Sequence, residues 1–239
     1  MGYCDIHCHI IPGVDDGSKD LAESIGMIEI AAKSGITDII LTPHYKPGRL
    51  EHSKERFFKE LETLKKHVKD NGFDVNLYLG TELMFSEDCI ELLENDKILS
   101  MNDSKHILVE FRPMDSAKYI KDCLYKITCC GYTPVLAHVE RYVSMIEAYD
   151  DIEEIINRGA LIQVNASSVI GKIGGKVKKF IKMLMKYDML HFIGTDAHDI
   201  KERTPDMKKC ADYIEKKFGK EYRDELLINN PVKYFNITR

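Results

Sequence analysis

The residues of this chain able to do chemistry begin at its first strand. Tyr3-Cys4-Asp5-Ile6-His7-Cys8-His9 reads as extended, and alternation puts Asp5, His7 and His9 on one face and Cys4, Ile6 and Cys8 on the other. Two imidazoles about 7 Å apart along one strand face can grip one metal ion from a rigid backbone. The turn Gly13-Val14-Asp15-Asp16-Gly17 follows with carboxylates for a neighbouring ion. A His-x-His pair alone is a weak signal, so its weight depends on other donors reaching the same place. Those donors exist: His44, Glu82, Glu110, His138 and the pair Asp196 and His198 each stand at or just past the end of an apolar run.

Imidazoles and carboxylates without cysteine suit divalent ions such as manganese, iron or zinc. Five imidazoles and four or more carboxylates exceed the needs of one tetrahedral ion. Two or three ions, bridged by carboxylates and a hydroxide, are expected. Such a cluster lowers the pKa of bound water and neutralises charge on a phosphoryl group during in-line displacement, which points to phosphoester hydrolysis. Arg141, three residues past His138, can clamp a phosphate bidentately, and Arg203 is a second candidate. None of the seven cysteines has an arginine six positions later, which argues against a thiolate nucleophile on a Cys-x5-Arg loop.

Other candidates have plainer readings. Asp5 reads as a strand anchor, and Asp16 is favoured as a ligand over Asp15, which is given a turn-forming role. His52, His67, His106 and His191 read as surface or packing residues. The lysine-rich segment from Lys176 to Tyr187 reads as a helix with a solvated face. The stretch Ile170 to Lys176 lacks the spacing of a phosphate loop.

The elements that must position the donors alternate strand and helix to the end of the chain. Strands are expected at Tyr3 to His9, Asp38 to Thr42, Val75 to Leu79, Ile107 to Phe111, Val135 to Arg141 and Leu161 to Asn165, with a seventh starting at His191, which Asp196 and His198 follow. Helices lie between them, among them one from a Ser18 or Asp20 cap to Gly35 and one from about Ser53 to Asn71. Two final helices, at about Asp206 to Phe218 and Glu221 to Leu227, end near Pro231. Seven short apolar strands joined by crossovers form a parallel sheet, and donors at nearly every C-terminal strand end favour a barrel over an open sheet.

The 239 residues, 44% hydrophobic and 31% charged, suit one α/β-barrel domain over 1–239. A net charge of −5 argues against a nucleic-acid partner. No run reaches membrane-spanning length, and Met1-Gly2 enters the first strand without the pattern of a signal peptide or a myristoylation site. Seven scattered cysteines with no Cys-x-x-Cys pair suggest thiols in a reducing cytoplasm.

The chain resembles the polymerase-and-histidinol-phosphatase (PHP) superfamily in His7-x-His9, a lone His44, Glu82, Glu110, His138 and Asp196-x-His198, all in order. Several longer segments resemble, more narrowly, the bacterial manganese-dependent protein-tyrosine phosphatases. They are Asp5-Ile-His-x-His-Ile with Val14-Asp-Asp-Gly-Ser, Leu99-Ser-Met-Asn-Asp, Glu110-Phe111, Thr133-Pro-Val-Leu-Ala-His-Val-Glu-Arg-Tyr142, Gln163-Val-Asn-Ala-Ser167 and Thr195-Asp-Ala-His198. That subgroup dephosphorylates tyrosine kinases controlling capsule or exopolysaccharide synthesis. The resemblance spans nearly the whole chain and implies a distorted, TIM-like (β/α)7 barrel holding three metals, manganese foremost, with iron, cobalt or zinc as alternatives. It implies one ion on His7, His9, Glu82 and Asp196, a second on Glu82, Glu110 and His138, and a third on Asp16, His44 and His198. Arg141 and Arg203 would meet the phosphate, and His44 is carried as a catalytic residue as well as a ligand. The loop from Gly171 to Lys176 departs from the subgroup in being shorter and richer in glycine.

The expected activity is phosphoric monoester hydrolysis on a phosphotyrosine-bearing protein, a membrane-associated tyrosine kinase, by a cytoplasmic enzyme that is not itself a membrane protein. The pattern specifies no oligomeric state. Two rival readings are a PHP-type phosphatase for a small phosphomonoester such as histidinol phosphate and a non-catalytic PHP binding module.

Overall fold

A computed structural model describes residues 2–238. Its strands are β1 (Tyr3–Cys8), β2 (Ile36–Leu41), β3 (His44–Tyr45), β4 (Asn76–Leu79), β5 (Glu82–Met84), β6 (His106–Glu110), β7 (Thr133–Leu136), β8 (Leu161–Asn165) and β9 (Phe192–Gly194). All pair in parallel, in the orders β1-β2-β4 and β3-β5-β6-β7-β8-β9. The two sets are one sheet in practice. Between β2 and β3, and between β4 and β5, the chain only jogs, at Thr42-Pro43 and Gly80-Thr81. Gly80 N donates to Leu41 O at 2.8 Å and Glu82 N to Pro43 O at 3.1 Å, carrying the ladder across both breaks. Counting each interrupted pair once turns nine strands into seven positions.

The sheet curls until its ends meet. Past β9, Asp196 N donates to His7 O at 2.7 Å and His9 N to Ala197 O at 2.8 Å. The expected distorted seven-stranded barrel is the observed architecture.

Helices cover the outside: α1 (Leu21–Lys33), α2 (Lys54–Asp70), α3 (Asp88–Glu94), α4 (Ala117–Cys129), α5 (Tyr149–Asn157), α6 (Ala166–Val169), α7 (Gly175–Lys186), α8 (Lys208–Phe218), α9 (Lys220–Asp224) and α10 (Asn230–Tyr234). Their starts follow capping chemistry. Asp20 accepts from Glu23 N at 2.9 Å ahead of α1, Ser53 from Arg56 N at 3.3 Å ahead of α2, and Ser116 from Tyr119 N at 3.2 Å ahead of α4. Their apolar stripes, such as Met27 and Ile28 on α1 and Phe57, Leu61 and Leu64 on α2, are buried in one core with Ile39 and Leu41 of β2, each side chain contributing about 1.5–3 kcal/mol. A second, inner cluster takes Cys4 and Ile6 of β1, Ile40 of β2, Leu108 of β6, Val135 of β7, Leu161 of β8 and Phe192 of β9, with Phe235 from beyond α10.

Two expectations need correction. The run Val135 to Arg141 is strand only to Leu136, because His138 takes a left-handed backbone (φ 34°) and a short 3-10 turn follows over Val139–Arg141. The chain also does not stop being regular near Pro231, since that proline sits in the first turn of α10, where its missing N–H costs nothing.

Candidate metal centre

β1 delivers two imidazoles to one point. His7 Nε2 and His9 Nε2 are 3.3 Å apart. Each lies 3.2 Å from Glu82 Oε2 and 3.6 Å from Asp196 Oδ1. Strict alternation does not run through this strand, for its register shifts between Asp5 and Cys8. Cys4 and Ile6 enter the inner cluster while Cys8 joins the outer core, a bulge-like irregularity of the kind that re-aims a side chain. Asp5 joins none of the groups of ligand atoms. It accepts from Thr195 N at 2.8 Å and Thr195 Oγ1 at 2.5 Å, and burial pushes its carboxyl up to about 6 against those bonds.

Glu82, at the start of β5, is the hub. Besides His7 and His9, its carboxylate lies 3.1 Å from His44 Nδ1 on β3 and 2.9 Å from His138 Nε2 past β7. Burial alone would push this carboxyl up, but His7, His138 and His9 hold it well below the carboxylate range. Glu110, closing β6, places an oxygen 2.9 Å from His44 Nδ1 and another 3.9 Å from His138 Nε2. On the far side, Asp16 lies 3.3 Å from His44 Nε2 and 3.5 Å from His198 Nε2. Burial would lower His44, yet Asp16 and Glu110 hold it up at about 9.

The approach to this cluster is built into the backbone. His138 and Asp196 both adopt left-handed φ, 34° and 53°, at a cost of about 1–3 kcal/mol each. Gly194 has to be glycine, because a Cβ there would lie 2.5 Å from His7 Cβ.

All nine expected donors therefore meet at the C-terminal rim. Ligand atoms close enough to share an ion fall into three groups: His7, His9 and Glu82; His44, Glu82 and Glu110; and His9, Asp16, His44 and His198. His44 thus faces Glu82 and Glu110 as well as Asp16, while Asp196, 3.6 Å from His7 and His9, and His138, 2.9 Å from Glu82, lie beside these groups. Three buried atoms test whether a cation fits. His44 Nδ1, Glu82 Oε2 and Glu110 Oε1 have no hydrogen-bond partner, although each oxygen lies within 3.1 Å of that nitrogen. Buried polar atoms aimed at one another and left unsatisfied are costly. A divalent cation among N and O donors would satisfy all three.

Outside the donors stands a set of residues to which sequence reasoning gave no such role. Asp15 accepts from Gly17 N, as a turn residue should, but also faces His9 Nδ1 at 2.8 Å and accepts from His44 N at 2.9 Å. Gln163 Oε1 faces His7 Nδ1 at 3.3 Å and accepts from His138 N at 2.7 Å. Occupying Nδ1 leaves Nε2 as the ligating atom and fixes the ring. Asn165 donates to Asp196 at 2.8 Å, and buried Glu140 accepts from Asn165 N at 2.8 Å. Three of the four remaining histidines have local roles: His52 meets Val14 O at 2.7 Å, His106 packs edge-on against Phe235, and Ile162 N donates to His191.

The two arginines lie beside the donors. Arg141 pairs with Asp196 Oδ2, and Arg203 Nη2 lies 2.8 Å from Asp196 Oδ1. Both line a pocket of about 270 Å³ that opens from Asp196 towards the segments after β8 and β9. Two guanidinium groups beside these donors form a receptor for an anionic, phosphate-like group.

Residues 3–236 match the family described as capsular polysaccharide synthesis, CpsB/CapC. The tyrosine-protein phosphatase CpsB of Streptococcus agalactiae serotype III is 33% identical over 231 residues, 95% of each chain. In three dimensions the chain is similar to a crystal structure from the pair YwqE of Bacillus subtilis and CpsB of Streptococcus pneumoniae, unique metal-dependent tyrosine phosphatases. The TM-score is 0.84 at 32% identity over 92% of this chain and 89% of that one. The histidinol phosphate phosphatase of Lactococcus lactis shares the fold, with a TM-score of 0.63 at 16% identity over 90% and 93% of the two chains.

Proposed function

The chain belongs to the CpsB/CapC family of capsular polysaccharide synthesis, and from that premise we propose that it is a metal-dependent tyrosine-protein phosphatase acting in the regulation of that synthesis. The observation that carries the reading is the meeting of nine imidazole and carboxylate donors, three of their atoms buried and unsatisfied, beside two arginines at one pocket. His7, His9, Glu82 and Asp196 would hold one ion, Glu82, Glu110 and His138 a second, and Asp16, His44 and His198 a third, with manganese the proposed metal. Ions of this kind supply a nucleophile from water at neutral pH and Lewis acidity toward the phosphoryl oxygens.

The protein's own groups do the rest. Arg141 and Arg203 receive the phosphate and stabilise the charge that grows on its equatorial oxygens, a type of contact worth about 10²–10³ in rate per donor. Asp15 and Gln163 keep the His9 and His7 rings in register and their Nδ1 atoms engaged. His44 faces Asp16 through Nε2 and Glu82 and Glu110 through Nδ1, so it stands between two of the donor sets. The tyrosyl phenolate leaves with a pKa of about 10, so it needs less protonation than an alkoxide would.

The substrate is a phosphotyrosine-bearing protein, and the capsule connection of the family supports a membrane-associated tyrosine kinase of capsule or exopolysaccharide synthesis. No helix among the described residues is long and apolar enough to cross a membrane. A cytoplasmic location is supported by the seven free thiols, five of them buried, and residues 1–239 are taken as one catalytic domain. Turnover of a phosphotyrosine peptide and of histidinol phosphate by the manganese-loaded protein tests the reading. Faster hydrolysis of the peptide is expected; preference for histidinol phosphate, or inertness toward both, would contradict it.

A further inference from the structure

The turn between α6 and α7 has no part in the chemistry described so far. The pocket that starts at Arg141, Arg203 and Asp196 runs past Ala166 to Ile170 and Ile173 of this turn. The turn is firmly built: Lys172 N donates to Ser167 O and Gly171 N to Ser168 O, both at 3.0 Å, and Lys178 Nζ donates to Ile170 O at 3.1 Å. Gly171 adopts φ +94°, and a Cβ at that position would lie 2.9 Å from the Lys178 side chain, so the turn depends on glycine there. What this construction does is hold Ile173 out, 51% exposed, at the wall of the pocket. An isoleucine presented to water adds nothing to the core. One that shares a cavity with two phosphate-receiving arginines forms an apolar wall at a fixed offset from them.

We infer that this turn is the shelf for the substrate's aromatic ring: Ile170 and Ile173 take the face of the tyrosyl ring while Arg141 and Arg203 hold its phosphate. Ile173 is then a specificity-determining residue that favours aryl phosphomonoesters over those without a ring. The inference rests on the proposed phosphatase activity and adds to it the part of the site that selects the leaving group. It also gives the glycine-rich departure at Gly171 to Lys176 a purpose, which is to shape the shelf.

Ile173→Ser and the conservative Ile173→Val test it on the full-length, manganese-loaded protein. A substitution at so exposed a site leaves folding intact. With Ile173→Ser, KM for p-nitrophenyl phosphate and for a phosphotyrosine peptide rises about tenfold, the scale of a lost apolar contact, and the effect falls on KM rather than kcat. Inhibition by inorganic phosphate, which carries no ring, stays at the wild-type level, and Ile173→Val restores most of the affinity. An unchanged KM overturns the shelf, as does an equal loss of phosphate inhibition, which would mean that the turn only supports the arginines. The phosphatase reading fails separately: wild-type protein that hydrolyses neither aryl substrate removes that reading and the shelf together.

Discussion

The two ends of the barrel are filled with opposite materials by the same strands. At the N-terminal end Cys4, Ile6, Leu108, Val135 and Phe192 close on the Phe235 ring, 4.7 Å from that of Phe192. Two residues further along β6 Leu108 gives way to Glu110, and two further along β8 Leu161 gives way to Gln163. Residues two apart share a strand face, so one inward row changes from hydrocarbon to donor within one layer. The apolar layer needs no partner beyond itself. The polar layer above it gathers buried charge and two strained residues, His138 and Asp196, that only a rigid support below can hold in place. The lower end contributes stability and the upper end spends it on geometry.

Substitutions can break that division. Glu82→Ala has the largest expected effect, since its carboxylate faces His7, His9, His44 and His138. Activity falls by more than the about 10³-fold that one transition-state contact explains, metal content drops, and circular dichroism stays native. His138→Ala and Asp196→Ala behave in the same way. Phe235→Ala is the mirror image. It destabilises by about 3–5 kcal/mol, read from the urea midpoint, while kcat per folded molecule is kept. Arg141→Ala sharpens the contrast within the rim, lowering kcat/KM by about 10²–10³ with metal content unchanged. Asp15→Asn has the smallest effect of these substitutions. With a neutral amide in place of the carboxylate at His9 Nδ1, metal affinity falls by about 10- to 100-fold, measured by competition with a chelator, and saturating manganese recovers most of the activity.

The two ends also differ in how far they can be read from the sequence. The donors were legible because each is a chemically distinctive side chain placed just where an apolar run stops, as with His7-x-His9 and Asp196-x-His198. Their supports were not. Gln163 and Asn165 are ordinary amides in the middle of a motif, and nothing local says that Gln163 reaches both His7 and His138. Asp15 and Asp16 are neighbours of identical chemistry, and only the fold aims the first at His9 Nδ1 and the second at His44 and His198. That His44 faces two groups of donors was hidden for a related reason: it offers two nitrogens, and their directions depend on the jog at Thr42-Pro43. At the apolar end, the role of Phe235 was hidden because α10 carries Pro231 in its first turn, where the helical pattern had been expected to end.

The central claim is that this rim holds several divalent ions and that the activity depends on them. Elemental analysis of folded protein reconstituted with manganese, set beside p-nitrophenyl phosphate turnover for wild type and Glu82→Ala, tests it most directly. About three ions per wild-type chain, rising in step with turnover, and a loss of both in the variant are the predicted result. Full turnover with less than one ion per chain, or undiminished binding in Glu82→Ala, would contradict it.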